Sequence, residues 1–407
     1  MTIAIVGGGI GGLTAALYLH QAGIPVRVYE AAPKFKALGV GINLMPHAIR
    51  RLSELGLGEA LAAHGVEPAE FAFFTRHGQA IYSEPCGRYA GHRWPHFSIH
   101  RGALHELLFN ATHSRLGAEN VITDRRLSSF AQNPSSVSLS FIDTNGNTHV
   151  EQASVAIGCD GIHSQVRRQL FPHEGPPAFD GIHMWRGVTI GKPFLTGETV
   201  ARCGSLSHGK LTVYPIEHLA DGRQRINWVA EVRKGALQHA DWSRPGRLED
   251  FIGYYADREF DWLNIPELLT QAETILEYPM VDRDPLPRWT FGRVTLLGDA
   301  AHPMYPRGGN GAAQAIVDAE ALASCLSSES DTQTALQRYE HERREVTSKI
   351  VLTNRSQPPD YIIERVEELT NGKPFSRIDD VLSREEIIQI SQQYQRITGM
   401  DINTTSR

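Results

Sequence analysis

The chain has 407 residues, of which 41% are hydrophobic and 21% charged, and its formal net charge is −6. These values are ordinary for a globular protein with two or three sizeable domains, and the lack of a basic excess argues against a nucleic-acid partner. No apolar run is long enough to span a bilayer, and a first strand at residue 2 leaves no room for a secretory leader, so we expect a cytoplasmic protein with no membrane partner. The four cysteines have no paired spacing, and we expect no metal site.

A strand, a glycine-rich turn and a helix follow one another at the start of the chain. The apolar run over residues 2–6 predicts a buried strand, and Gly7, Gly9 and Gly12 then satisfy the pattern G-x-G-x-x-G. In that pattern the first glycine permits a tight turn, the second lets a pyrophosphate approach, and the third lets helix and strand pack closely. Glu30 ends the next strand, where a carboxylate can accept hydrogen bonds from ribose hydroxyls. The segment predicts an ADP-binding unit, whereas the glycines alone would fit a turn without a ligand.

The middle of the chain departs from this alternation of strand and helix. Alternating apolar residues over 137–141 and the turn at Asn145-Gly146 predict a β-hairpin. A buried strand then ends at Asp160-Gly161. Short alternating runs within residues 176–275 predict an antiparallel sheet, and hence a second domain inserted into the first.

A second glycine-rich loop follows a strand near residue 297. Asp299 stands at the end of this strand, where ligands bind in open α/β sheets, and can bond the hydroxyls of a ribityl chain. Residues 306–311 offer backbone N–H groups at a helix start, which suits the flavin edge where negative charge collects on reduction. The alternative is a glycine-rich connection with no function.

Together these motifs resemble those of the group A FAD-dependent aromatic monooxygenases, the salicylate and para-hydroxybenzoate hydroxylase family. Shared runs at residues 98–102, 184–189 and 278–287 are most similar to the phenazine-hydroxylating members, and the likeness covers residues 1–355. One departure is Asn310, because many members have Gly-Gln-Gly where this chain has Gly-Asn-Gly. The backbone donors are kept, but the pocket floor can differ.

The resemblance implies FAD as cofactor and NADH or NADPH as a transient co-substrate. The absence of a second G-x-G-x-x-G fits a reductant that binds only transiently. The positions that match the cofactor site are Gly7, Gly9, Ile10, Gly11, Gly12, Glu30, Ala31, Gly41, Ile42, Arg101, Leu127, Asp160, Gly161, Asp299, Pro306, Gly309, Asn310 and Gly311.

Candidate catalytic and substrate residues are less well defined. His47 or Tyr214 could help to deprotonate a phenol, although His47 also fits a solvent-facing helix start. Trp185 and Tyr214 fit a pocket wall or a core position, and Arg186 and Arg307 fit a carboxylate clamp or a surface ion pair. The predicted substrate residues are Trp185, Arg186, Tyr214, Tyr305, Pro306 and Arg307.

The activity implied is NAD(P)H- and O2-dependent hydroxylation of an aromatic or N-heteroaromatic substrate through a C4a-hydroperoxyflavin, with loss of CO2 if a carboxylated carbon is attacked. An FAD-dependent dehydrogenase or oxidase of a small aromatic compound is the alternative, and a flavin-binding sensor module is a third. A monomer or homodimer is expected.

The predicted fold is α/β: a Rossmann-like FAD-binding domain with an inserted, mainly antiparallel β-sheet substrate domain and a C-terminal helical tail. The tail is expected to be an appendage without a catalytic part. The predicted division is residues 1–69, 98–175 and 276–355 for the FAD-binding domain, 70–97 and 176–275 for the substrate domain, and 356–407 for the tail.

Overall fold

The computed structural model describes residues 2–34, 39–235 and 244–398, so residues 399–407 of the predicted tail lie outside the described residues. The strands are β1 (Ile3–Val6), β2 (Val26–Tyr29), β3 (Gly41–Leu44), β4 (Gly65–Val66), β5 (Glu70–Phe74), β6 (Ala80–Pro85), β7 (Phe97–His100), β8 (Val121–Ile122), β9 (Arg126–Gln132), β10 (Val137–Ile142), β11 (Thr148–Ala153), β12 (Val155–Gly158), β13 (Ala178–Gly191), β14 (Thr199–Cys203), β15 (Lys210–His218), β16 (Gln224–Arg233), β17 (Arg244–Pro245), β18 (Glu259–Phe260), β19 (Leu263–Asn264), β20 (Thr274–Asp282) and β21 (Val294–Leu296). The α-helices are α1 (Ile10–Gln21), α2 (Pro46–Glu54), α3 (Gly58–His64), α4 (Arg101–Leu116), α5 (Gln165–Leu170), α6 (Ile265–Thr270), α7 (Asn310–Ser328), α8 (Thr332–Ser356), α9 (Tyr361–Thr370) and α10 (Arg384–Thr398).

A parallel sheet lies at the centre of the first domain. Its order is β21-β12-β1-β2-β8, and the neighbouring strands all run parallel. Both β1 and β12 are buried along their whole length, as expected for strands that are covered on both faces. The chain leaves β1 for β2 on one side and reaches β12 on the other. The carboxyl end of β1 is therefore a topological switch point, where ligands bind in such sheets.

The second sheet has eight strands in the order β17-β20-β13-β16-β15-β14-β5-β6, and every neighbouring pair except β14 and β5 is antiparallel. The predicted α/β fold with a mainly antiparallel second sheet is confirmed. The predicted boundary after residue 275 is wrong, because β20 continues to Asp282 and pairs with β13 as far as that residue. The hairpin of β10 and β11 forms as predicted, with β9 as a third strand.

The C-terminal helices α9 and α10 pack against the antiparallel sheet rather than standing apart from it. Apolar residues of α9 and α10, among them Ile363 and Ile387, share a buried cluster with Phe73 of β5. A capping box forms at the start of α10, since the Glu386 N–H donates to Ser383 Oγ at 3.3 Å and the Ser383 N–H donates to Glu386 Oε2 at 3.2 Å. The expectation of an appendage is therefore wrong for the described part of the tail, residues 356–398. In the described part of the chain, no helix has both the length and the apolar character needed to cross a membrane.

Candidate active site

A cavity of about 370 Å³ lies where the carboxyl ends of the parallel strands meet the antiparallel sheet. This volume is in the range of small-molecule sites. The predicted cofactor residues that line the cavity are Gly9, Ile10, Gly11, Gly41, Ile42, Arg101, Gly161, Asp299, Pro306, Gly309 and Gly311. The predicted substrate residues that line it are Arg186, Tyr214, Pro306 and Arg307. Motifs nearly 300 positions apart in the sequence thus meet at one site.

The three motif glycines differ in what an added Cβ would meet at each of them. Gly7 has φ +108°, and a Cβ there would overlap the Cys159 carbonyl, so this turn requires glycine. A Cβ on Gly12 would overlap the carbonyl of Gly7, which is the close approach of helix and strand. A Cβ on Gly9 would meet nothing within 4 Å. The open side of Gly9, at the N-terminus of α1, fits an approaching pyrophosphate.

Glu30 holds the glycine-rich turn between β1 and α1, which we call the glycine cradle. Its Oε2 accepts a hydrogen bond from the Gly8 N–H at 2.7 Å, and its Oε1 accepts one from the Ala32 N–H at 2.8 Å. Each oxygen keeps a further acceptor position, so the ribose contact stays a prediction. Ala31 lies half-buried next to Glu30. Leu127 was predicted as a cofactor residue, but its side chain is buried in the apolar core and does not line the cavity.

Asp318 of α7 holds the loop that carries Asp299. Its Oδ2 accepts from the Gly298 N–H at 3.1 Å and lies 2.5 Å from His302 Nε2, and its Oδ1 accepts from Arg343 Nε at 2.7 Å. Burial alone would raise the pKa of Asp318, but His302 and Arg343 outweigh it and lower the pKa to about 2. No motif around Asp318 indicates this buried support.

Asp299 itself is exposed to the cavity. The surrounding protein raises the pKa of the Asp299 carboxyl by desolvation, and His302 and Arg101 act in the opposite direction. Arg101, at the start of α4, lines the same cavity. A carboxyl group and a guanidinium are therefore placed in the lining of the same cavity.

The Asp160-Gly161 motif after β12 leads into α5, which contacts the loop that carries Asp299. The Asp160 carboxylate accepts from the Gln165 N–H at 2.7 Å, at the start of α5, and burial raises the pKa of this carboxyl. Arg167 of α5 donates to the carbonyls of residues 300 and 301 at 3.1 and 2.9 Å. The side chain of Asp160 does not line the cavity, whereas Gly161 does. The structure thus brings the backbone of this motif, but not its carboxylate, to the site.

Alternation along β13 decides which predicted substrate residues reach the cavity. Met184 and Arg186 line it, whereas Trp185 points to the opposite face and stacks on Phe251 with ring centres 4.9 Å apart. Trp185 is therefore a core residue, and its predicted place in the pocket wall is wrong. Tyr305 does not line the cavity either, because its side chain is buried with Ile182 and Met280, so its predicted place in the pocket wall is also wrong.

Gly41 of β3 joins the cofactor side to the antiparallel sheet. Its N–H donates to Asn227 Oδ1 at 2.6 Å, and its carbonyl accepts from Arg186 Nη2 at 2.9 Å. A Cβ on Gly41 would lie 2.7 Å from the Asn227 side chain, so glycine is required here. Tyr214 is buried yet lines the cavity beside Arg186. Burial raises the pKa of Tyr214, so its hydroxyl is a hydrogen-bond donor rather than a base.

His47 does not line the cavity, so its predicted catalytic role is wrong. It is not solvent-facing either, because it is 9% exposed on the inner side of α2. Among the residues that the structure describes, neither ring nitrogen has a hydrogen-bond partner, and burial, with a contribution from Arg51, lowers the pKa of His47 to about 3. A neutral, unpartnered imidazole away from the cavity cannot relay a substrate proton.

Charged side chains line the cavity where it meets the antiparallel sheet. They are Arg186, Arg202, Lys210, Arg307, Glu231 and Asp360. Lys210 Nζ lies 2.7 Å from Glu231 Oε2 and 2.6 Å from Asp360 Oδ2, and Arg307 Nη2 lies 3.2 Å from Asp360 Oδ2. Burial alone would raise the pKa of Asp360, but Arg307 and Lys210 hold it far below its ordinary value. Arg307 is thus an ion-pair partner, although a buried one.

Arg202 and Arg186 differ from Lys210 and Arg307 in their charge partners. In the described ranges neither forms an ion pair with a carboxylate. Arg202 is 8% exposed, and its guanidinium lies 5.1 Å from the centre of the Phe71 ring and 5.5 Å from that of Phe73. One buried guanidinium, of Arg202, and one half-buried guanidinium, of Arg186, therefore face the cavity. Within the described residues neither has a carboxylate in ion-pair contact, although the charge of Arg202 acts to lower the pKa of Asp360 and of Glu84.

Sequence reasoning missed several residues of this wall. Every second residue of β15 from Lys210 to Tyr214 lines the cavity, namely Lys210, Thr212 and Tyr214. Because alternate residues of a strand share one face, the predicted place of Tyr214 could have indicated the other two. Arg202 had no comparable signal, and Asp360 belongs to the tail that was expected to be remote.

The parallel sheet, the glycine cradle and the Asp299 loop define a dinucleotide-binding flavoprotein with a second, antiparallel sheet over the ring site. A model of the FAD binding domain family matches residues 1–354. The phenazine 1,6-dicarboxylic acid hydroxylase PhzS of Lysobacter antibioticus is 45% identical over 361 residues, covering 87% of this chain and 89% of the relative. The 6-hydroxynicotinate 3-monooxygenase of Pseudomonas fluorescens is 32% identical, covering 86% of this chain and 89% of the relative. A salicylate hydroxylase substrate complex has a TM-score of 0.75 at 24% identity, covering 100% of this chain and 97% of the other.

The chain belongs to the FAD binding domain family, and it is an FAD-dependent monooxygenase. The predicted family resemblance and the FAD cofactor are confirmed. The relatives are named hydroxylases and monooxygenases, so the alternatives of a dehydrogenase or oxidase and of a sensor module are not supported.

Proposed function

We propose that the protein hydroxylates an N-heteroaromatic carboxylic acid of the phenazine type, with NADH or NADPH as electron donor and O2 as oxygen donor. The observation that carries the proposal is the pair of cavity-lining arginines, Arg186 and Arg202, that have no carboxylate partner in the described residues. A guanidinium that is partly or wholly removed from water without an anion in direct contact is costly, and an anionic ligand would provide that contact. The relative PhzS, named for a phenazine dicarboxylic acid, supports this substrate class.

Each face of the cavity has its own part in the reaction. Gly9, Arg101 and Asp299 would hold the pyrophosphate and the ribityl chain of FAD, and the backbone of residues 309–311 would face the ring edge. FAD supplies the electron transfer and the oxygen chemistry when it is bound. The chain's own contribution is to orient the substrate ring and to exclude water.

The polar groups of the antiparallel sheet orient the substrate. Arg202 would bind a substrate carboxylate with its planar fork, while Phe71 and Phe73 support the guanidinium from one side. The protonated Tyr214 would donate a hydrogen bond to a ring nitrogen or oxygen. No side chain is required as a nucleophile. We further propose that the protein works in the cytoplasm, as a monomer or homodimer.

The experiment is a substrate screen with the purified holoenzyme. Phenazine mono- and dicarboxylic acids, 6-hydroxynicotinate and 3-hydroxybenzoate are added in turn, and NADH and NADPH oxidation are followed with mass analysis of the products. We expect the phenazine acids to stimulate oxidation most and to gain one oxygen atom, with or without loss of CO2. Equal stimulation by an uncharged phenazine would overturn the role of the arginines, and no stimulation by any phenazine acid would overturn the substrate class.

Arg202→Met tests the carboxylate contact separately from the cofactor. The variant should raise KM for a phenazine acid at least tenfold, about 1.4 kcal/mol of binding, and leave FAD retention unchanged. Arg93→Met is the matched control, because Arg93 lies over Trp94 and does not line the cavity. An unchanged KM in Arg202→Met would contradict the proposed contact.

A further inference from the structure

Tyr394, in the C-terminal helix α10, contacts the loop that carries Gly309 and Gly311. Its hydroxyl accepts a hydrogen bond from Asn310 Nδ2 at 2.9 Å and lies 2.9 Å from Asn354 Oδ1. Tyr394 is 3% exposed, and the two asparagines are fully buried. Burial raises the pKa of Tyr394, so the hydroxyl keeps its proton. A polar cluster of one phenol and two amides thus lies inside the protein, directly behind the loop.

The polar cluster also holds the backbone at the start of this loop. The Tyr394 hydroxyl lies 3.2 Å from the carbonyl oxygen of Arg307, and Asn354 Nδ2 donates to the carbonyl of Tyr305 at 3.3 Å. The single hydroxyl proton serves either Asn354 or Arg307 at a given moment, while the bond from Asn310 uses a lone pair. The polar cluster is therefore linked to both ends of the segment between residues 305 and 310, and the tail contributes Tyr394 to it.

Two consecutive glycines make the path of the loop depend on Tyr394. Gly308 and Gly309 have φ +82° and +70°, in the left-handed region. A Cβ on Gly308 would overlap the Tyr394 hydroxyl, so the backbone lies directly against the phenol. Asn310 is the first residue of α7, and Gly309 and Gly311 line the cavity. A shift of the phenol would therefore move the N-terminal N–H groups of α7.

We propose that Tyr394 is a positioning residue for the cofactor, which fixes the start of α7 so that its N–H groups face the flavin ring edge. Negative charge collects on that edge during reduction, and the positive end of a helix stabilises it. This role goes beyond the choice of substrate, because it would hold for any ring that is hydroxylated at the site. It gives the C-terminal helices a part in tuning the cofactor.

The polar cluster also accounts for the departure from Gly-Gln-Gly in this loop. Asn310 is fully buried against Tyr394, and a glutamine there would have to fit one more methylene into this buried position. Overfilling a close-packed site displaces its neighbours. The short amide and the phenol are thus suited to each other.

The test is Tyr394→Phe, studied as the holoenzyme, since this change removes one oxygen atom and keeps the ring. We expect a several-fold weaker FAD affinity, a more negative flavin midpoint potential and an altered visible spectrum of the bound flavin. Tyr361→Phe is the control, because Tyr361 lies on α9 of the same tail and its hydroxyl makes no hydrogen bond within the described residues. A lower thermal midpoint with an unchanged potential and spectrum would overturn the proposal, since Tyr394 would then only support the fold.

A second variant removes the other partner of the hydrogen bond between Asn310 and Tyr394. Asn310→Ala should shift the flavin potential in the same direction, and the double variant with Tyr394→Phe should shift it by less than the sum of the two. Fully additive shifts, or a potential equal to wild type in Asn310→Ala, would also overturn the proposal.

Discussion

Lys210 Nζ and Asp360 Oδ2, from the antiparallel sheet and the C-terminal tail, lie 2.6 Å apart in the wall of the cavity. Their side chains are only 4% and 2% exposed. Arg307, from the loop of the flavin side, shares the same carboxylate at 3.2 Å. One buried acid therefore connects the antiparallel sheet, the cofactor loop and the tail.

Asp360→Asn should destabilise the protein, because it removes the acid from the buried junction of Asp360 with Lys210 and Arg307. Removing one partner of a buried pair leaves uncompensated charge, and we expect a loss of about 3 kcal/mol in the free energy of unfolding. Denaturant unfolding of the holoenzyme at neutral pH measures it. Asp379→Asn is the control, because Asp379 pairs with Arg377 on the surface, with both side chains more than half exposed. Equal midpoints for the two variants would contradict a structural role for the junction.

Gly9→Ala and Gly12→Ala should fail in different ways. Gly9 has φ −76°, and its Cβ would enter open space, so Gly9→Ala should fold normally but bind FAD at least tenfold more weakly, about 1.4 kcal/mol. Gly12→Ala would overlap the Gly7 carbonyl, and we expect it to lose stability by about 1–3 kcal/mol or more. Thermal unfolding of the apoprotein and FAD titration separate the two effects. Normal FAD affinity in Gly9→Ala would place the pyrophosphate elsewhere.

Lowering the pH should reduce the free energy of unfolding, because His47 and His96 are buried as neutral side chains. Burial lowers the pKa of each to about 3, whereas both groups in the unfolded chain titrate near 6.5. Between these values the unfolded state binds protons that the folded state does not. Stability therefore falls as the pH decreases from about 6.5 toward 3, by roughly 1.4 kcal/mol per pH unit for each histidine.

His47→Leu tests this pH dependence. It removes two buried nitrogens that have no partner, and it should reduce the slope of stability against pH between about 4 and 6. His64→Leu, at an exposed position of α3, should leave the slope unchanged. The same slope in wild type and His47→Leu would show that this imidazole titrates normally.

Glu30→Arg should weaken FAD binding at least tenfold, about 1.4 kcal/mol, because it removes the acceptor of the Gly8 and Ala32 N–H groups and reverses the charge at the ribose end. The measurement is retention of the yellow cofactor through gel filtration and its dissociation constant. Glu59→Arg, exposed on α3, serves as the control. Full retention of FAD in Glu30→Arg would count against the assignment of this end of the groove.

The sequence predicted the cofactor half of the site better than the substrate half. Motifs such as G-x-G-x-x-G are local, and each glycine has a steric reason that can be stated before the fold is known. The substrate side depends on which face of a strand each residue occupies, so Arg186 was placed correctly and its neighbour Trp185 was not. Asp360 and Tyr394 reach the site only through tertiary packing of the tail, for which a polar, helical segment carries no sequence signal.

The most direct test of the account is turnover of a phenazine carboxylic acid by the holoenzyme under isotopically labelled O2. We expect one labelled atom to enter each hydroxylated product and turnover to stop without O2. A product that takes its oxygen from water, or sustained anaerobic turnover with an artificial electron acceptor, would contradict it.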